Sequence, residues 1–148
     1  MAARVFPIYN IDEAVGPRQP NRADDVRVIQ SILIELARYS TNDWLQDLPP
    51  QMRTLAKTGL YDNRLQKWTV AFQKWAMEDH KLTKADGVIE PLPIAAIVNG
   101  TALEYQSTLS MMCNQLWRYD QMAYMKIGFE QDVPWYPTAW DPELANVK

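Results

Sequence analysis

The stretches DDVRVIQSIL (24–33), TGLYDNRLQKWTVAFQKW (58–75) and ADGVIEPLPIAAIVNG (85–100) decide the fold. Apolar residues fall at Val26, Ile29, Leu33, Leu36 and Ala37, and again at Leu65, Trp68, Phe72, Trp75 and Ala76. The two sets have identical spacing, and that spacing lines one face of an α-helix. Val26, Ile29, Leu33, Leu65, Phe72, Ile89 and Ile97 are therefore expected to share a core. Asn21 is placed to cap the first helix, with Asp24 in its first turn, and the helix should reach about Tyr39. Asn63 and Gln66 have capping-box spacing, so the second helix should run from Arg64 to about Asp79. Asp86-Gly87 is a turn signal. Pro91 and Pro93 suit the start of a short third helix, which Asn99-Gly100 ends.

Outside these stretches the chain changes character. Residues 1–20 hold Pro7, Gly16, Pro17 and Pro20 and read as an extended lead-in, with a short strand at Arg4–Tyr9. The segment STNDWLQDLPPQM (40–52) reads as a long loop with at most one helical turn around Asp43–Leu48. Long loops often carry function, and Trp44 stands out there, but the simpler and preferred expectation is that Trp44 and Leu45 cover the core. Thr101 and Glu104 again have capping-box spacing, and the next glycine is Gly128. A helix of roughly 26 residues, about 39 Å long, is expected between them. Tyr105, Leu109, Met112, Leu116, Tyr119 and Ala123 step along it as a heptad seam. That seam serves either packing over the preceding helices or oligomerisation. The tail DVPWYPTAWDP (132–142) has three prolines and three large aromatics, so a regular helix is excluded and an irregular tail is expected.

At the residues quoted first, the chain resembles the small helical peptidoglycan-binding-like domain of bacterial and phage cell-wall enzymes. The family's V-x-x-[VI]-Q-x-x-L pattern is matched by Val26, Ile29, Gln30 and Leu33. Its D-G-x-[FY]-G turn is matched by Gly59 and Tyr61, its helical FQ pair by Phe72 and Gln73, and its final D-G-[VI]-[VI]-G-P by Asp86, Gly87, Val88, Ile89 and Pro91. Thr58, Asp62 and Glu90 depart from it, standing where the family has Asp, Gly and Gly. The match covers about 80 of the 148 residues. The resemblance implies an all-α fold: a three-helix peptidoglycan-binding-like domain over 21–100, behind the 1–20 lead-in. The long helix and the aromatic tail of 101–148 would follow it.

Composition narrows the function classes. The 47% hydrophobic content suits a folded globular chain. The net charge of −3, with no Lys/Arg-rich block, argues against nucleic-acid binding. Glu130, Asp132, Asp141 and Glu143 against Lys148 concentrate that charge in the last twenty residues. A basic or mixed surface would therefore suit a partner of the tail. No apolar run of transmembrane length exists, so no membrane insertion is expected. MAARVFPIYNIDEAVG lacks the apolar core of a signal peptide. Cytoplasmic synthesis is then expected and the final location stays open: a particle or an injection machine exports the chain, lysis exposes it, or the fold serves a purpose other than wall binding.

No catalytic residues, metal or cofactor are expected. His80 is the single histidine and Cys113 the single cysteine, and neither belongs to a metal or nucleophile motif. His80 fits a helix end. Cys113, beside the heptad seam, fits a small buried hydrophobe. The pairs Asp24-Asp25, Glu78-Asp79 and Asp86-Glu90 sit at helix ends and turns, where capping explains them. Gln73 should hydrogen-bond a neighbouring loop backbone. A glycan site would combine an aromatic face with amides and carboxylates, and Tyr61, Asp62 and Asn63 have that chemistry. A protein partner or a second copy would meet residues 101–148, with Trp135, Tyr136 and Trp140 as anchors, unless the tail folds back on its own chain. Two functions follow: a non-catalytic peptidoglycan-binding or anchoring module, or a structural adaptor of a phage particle or contractile injection apparatus.

Overall fold

The structure, a computed structural model, describes residues 6–39, 43–79, 82, 84–98, 107–130 and 135–138. The fold is all-α, with one small two-stranded antiparallel pairing. The order is β1 (Phe6–Tyr9), α1 (Ala23–Leu36), α2 (Asn63–Asp79), α3 (Ile94–Val98), α4 (Thr108–Tyr119), α5 (Gln121–Glu130) and β2 (Trp135–Thr138). Two 3₁₀ turns, Asp43–Leu45 and Pro50–Met52, interrupt the long α1–α2 connection.

The expected shared core is present. Val26, Ile29, Leu33, Leu65, Phe72, Ile89 and Ile97 are buried in one apolar cluster. That cluster also takes in Ile8 and Tyr9 of β1 and Leu109, Met112, Cys113, Leu116, Tyr124 and Ile127 of α4 and α5. The Leu109, Met112 and Leu116 positions of the heptad seam therefore pack inside this chain.

Capping differs from the expected pattern at three helices. Arg22, not Asn21, occupies the α1 cap and makes no side-chain bond there. Asn21 has φ +50°, and its side chain bridges back to Gly16, accepting from the amide at 2.8 Å and donating to the carbonyl at 2.9 Å. Asp62 caps α2, its Oδ1 accepting the Leu65 amide at 2.8 Å, so Asn63 stands at the first helical position. Ser107 and Ser110 form a capping box for α4. The Thr101–Glu104 pair, Tyr105 and the Asn99-Gly100 stop lie outside the described residues.

A long helical segment does follow α3, but it is bent into two helices rather than continuous. Asp120 breaks it with φ −155° and ψ 93°. Its amide still closes α4 on Leu116, while its carboxylate accepts the Ala123 amide at 3.0 Å and so caps α5. Tyr39 also donates to that carboxylate, and its ring stacks on Tyr119 at 5.2 Å. The bend lets Tyr124 and Ile127 turn into the core.

The tail is not wholly irregular. Trp135–Thr138 is a strand paired with β1, Phe6 opposite Thr138 and Tyr9 opposite Trp135. Pro7 faces Pro137 in that register, a pairing in which neither residue has an amide to donate. The lead-in is tied down a second time, where Val15 and Ile89 exchange both backbone bonds at 2.9 and 2.8 Å. Buried Asp25 holds it a third time, accepting the Asp12 and Glu13 amides.

Candidate functional site

Among the described residues, an open groove of about 670 Å³ with mixed chemistry runs along the outer face of α2. Asn63, Gln66, Lys67, Val70, Lys74, Trp75 and Glu78 line one side, recurring at helical spacing. Trp44, Gln46, Asp47 and Leu48 of the α1–α2 connection form the other side.

That connection is held in place by specific bonds. Arg53 donates from Nε to the Leu48 carbonyl at 2.8 Å and from Nη2 to the Gln46 carbonyl at 3.0 Å. Trp68 Nε1 donates to the Met52 carbonyl at 2.7 Å. Arg64 donates to the Thr54 carbonyl at 3.0 Å. Trp44 is the hydrophobic nail: it is only 4% exposed and meets Trp68 and Phe72 edge-on at 5.5 and 5.6 Å. Trp44 thus covers the core and walls the groove at once. Its indole N–H is buried without an acceptor, an arrangement that costs about 1–3 kcal/mol while unpaired. Half-buried Trp75 leans on Phe72 at 5.6 Å.

The three residues singled out for a glycan are neighbours in sequence with different positions in space. Asn63 lines the groove. Asp62 is exposed but committed to capping α2. Tyr61 packs its ring against the core, and its hydroxyl is buried without a partner. Burial, then the Asp62 charge, pushes the Tyr61 hydroxyl above its ordinary pKa. Gln46, Asp47, Lys67 and Lys74 were not singled out from sequence, and Gln66 and Glu78 were read only as a capping residue and a helix-end acid. The α2 members could have been found as the polar stripe opposite the Leu65–Phe72 face. The Gln46-Asp47 wall depends on how a long loop folds, which no local pattern encodes.

The remaining candidates have structural surroundings. Cys113 is fully buried, and its thiol donates to the Tyr9 carbonyl at 3.7 Å. Burial pushes it up to about 11, so it stays protonated at neutral pH. Gln73 bonds loop backbone as expected: it accepts the Gly87 amide at 2.8 Å and donates to the Val88 carbonyl at 3.1 Å. Asp86 is pushed up by burial, but the Val88 amide and Lys84 outweigh this and hold its carboxyl below the usual range. Trp135 and Tyr136 lie in β2. Trp140 and His80 lie outside the described residues. Among the described residues no three metal-ligating side chains converge, and no helix is long and apolar enough to cross a membrane.

Compared with protein-family models, with curated proteins and with solved structures, the chain finds no match to any of them.

Proposed function

We propose that this chain is a non-catalytic binding module for peptidoglycan or a related glycan, and that the groove along α2 takes the ligand. One observation carries the reading. The groove sets half-buried Trp75, backed by buried Trp44, beside the amides of Gln46, Asn63 and Gln66 and the carboxylates of Asp47 and Glu78. Sugar rings offer C–H faces to aromatics and hydroxyls to amides and carboxylates, so this donor and acceptor set fits them. The family resemblance of residues 24–100 points the same way. Asp47 and Glu78 are both solvent-exposed, whereas a glycosidase acid needs a desolvated carboxyl. This supports binding without hydrolysis.

Tryptophan fluorescence tests the reading, because two indoles line the groove. Titration with soluble peptidoglycan fragments should change the emission and saturate. No change at any fragment concentration, or release of new reducing ends by the pure protein, would count against it. A second reading, an adaptor of a phage particle or contractile injection apparatus, is favoured by a different surface: Met122 and Phe129 project from α5.

A further inference from the structure

The described basic side chains are mostly committed within the chain. Lys57 and Lys126 share Glu130, Arg38 and Lys84 meet Glu35 and Asp86, and Arg53 and Arg64 hold backbone carbonyls. Lys67 and Lys74 differ. Both are exposed on α2, both line the groove, and neither has an ion-pair or hydrogen-bond partner among the described residues. Arg18 and Arg118 also have none there, but they lie outside the groove. The acids of the groove are equally unengaged. Lys74 and Glu78 stand four residues apart, base before acid, the weaker order for pairing on a helix, and no bond joins them. Asp47 on the facing wall has no partner among the described residues either.

We propose that Lys67 and Lys74 make the groove select a glycan strand carrying carboxylates at spaced positions over an uncharged strand. This rests on the glycan reading and names which glycan the groove takes. Lys67 and Lys74 are seven residues apart, two turns or about 10.5 Å along α2. Half-buried Val70 and Ala71 lie between them, an apolar floor for a sugar ring. An ammonium is charged at neutral pH and forms a charge-assisted hydrogen bond with a carboxylate. In a strand of alternating sugars, an acid borne by every second sugar recurs once per two-sugar repeat, a span comparable to two helical turns. The two lysines therefore offer one contact to each of two successive acids. Asp47 and Glu78 set the limit of this attraction. They repel a polymer with an acid on every unit, so sparse acids are favoured over a dense polyanion.

Calorimetric titration of the full chain with three ligands of equal glycan length tests this. The first is peptide-free peptidoglycan strand, whose muramic acids carry free carboxylates. The second is peptide-bearing fragment, with its carboxylates on the peptide. The third is an uncharged N-acetylglucosamine oligomer. At least one acid-bearing ligand should bind about tenfold more tightly than the uncharged one, the product of two exposed ion pairs worth about threefold each. A preference shown by the peptide-free strand places the acid on the sugar. One shown by the peptide-bearing fragment alone places it on the peptide. Lys67→Gln and Lys74→Gln should each cut the preference about threefold. A merely structural role would weaken all three ligands alike and leave the preference intact. An uncharged oligomer that binds as tightly as both acid-bearing ligands would overturn the inference and leave the glycan reading standing. Variants that keep the full preference would do the same. Failure of all three ligands to bind would remove the glycan reading, and this inference with it.

Discussion

Gln30 and Gln73 do the same work on two different turns. Each follows a core residue of its helix, Ile29 or Phe72, and each accepts the amide of a left-handed glycine. Gln30 takes Gly59 (φ +75°) at 2.9 Å and Gln73 takes Gly87 (φ +78°) at 2.8 Å. Each amide group then donates onward: Gln30 to Thr58 at 3.0 Å, Gln73 to Thr108 at 3.0 Å. The two turns that carry Thr58 and Glu90 are thus each anchored from inside by one glutamine.

Gln30→Ala and Gln73→Ala should each destabilise by about 1–3 kcal/mol, because a buried glycine amide loses its acceptor. Leu33→Ala and Phe72→Ala, which empty core volume, should cost about 2–5 kcal/mol. Urea unfolding of the four variants checks the ranking. Glutamine variants with wild-type stability would mean that solvent replaces the clamp.

Gly128→Ala should destabilise by about 1–3 kcal/mol through overpacking. A Cβ there would stand 2.7 Å from the Tyr9 hydroxyl. That hydroxyl accepts the Gly128 amide at 3.0 Å and donates to the Tyr124 carbonyl at 2.7 Å, so it has no room to retreat. Adding Tyr9→Phe should recover part of the loss by removing the clash. A double-mutant cycle that is strictly additive would show that the two positions do not press on each other.

Alkaline pH should unfold the protein through the same cluster. Burial raises Tyr9 from 10.0 to about 12 and Cys113 from 9.0 to about 11. Both groups are neutral when protonated, and the fold favours that form. Their contribution is complete below the ordinary value of each group and is lost as pH climbs from about 9 towards about 12. The slope should approach about 1.4 kcal/mol per pH unit for each group within its window. Tyr9→Phe should flatten the decline. Equal stability at pH 8 and pH 11 would contradict the burial of this cluster.

Residues 129–148 should contribute to stability. β2 is paired with β1, and Glu130 reaches Lys57. Deleting this segment should lower the melting temperature by roughly 3–10 °C. An unchanged melting temperature would mean that the pairing adds nothing to the fold.

The helical core was legible because α1 and α2 repeat one apolar spacing, and Ile29, Leu33 and Phe72 fall on it without exception. The bend at Asp120 was hidden by a heptad row that runs straight through Tyr119 to Ala123. The warning was Asp120 itself, a preferred N-cap three residues before the amide it binds. β2 was obscured because prolines at 134 and 137 argue against a strand, and only its pairing partner, itself carrying Pro7, makes the register tolerable. For the groove, Asn63 was visible as chemistry beside a turn. The facing wall required Trp44 to dock on Trp68 and Phe72 across a long loop, a tertiary event with no local spacing.

The measurement that bears most directly on glycan binding by the α2 groove is co-sedimentation with purified, insoluble peptidoglycan. Wild type should be compared with Gln66→Ala/Glu78→Ala, whose side chains line the groove without filling the core. Wild type should pellet with the wall. The double variant, equally stable to heat, should bind at least about tenfold more weakly, as expected when two polar ligand contacts are lost. Wild type left in the supernatant, or a variant that pellets as fully as wild type, would contradict it.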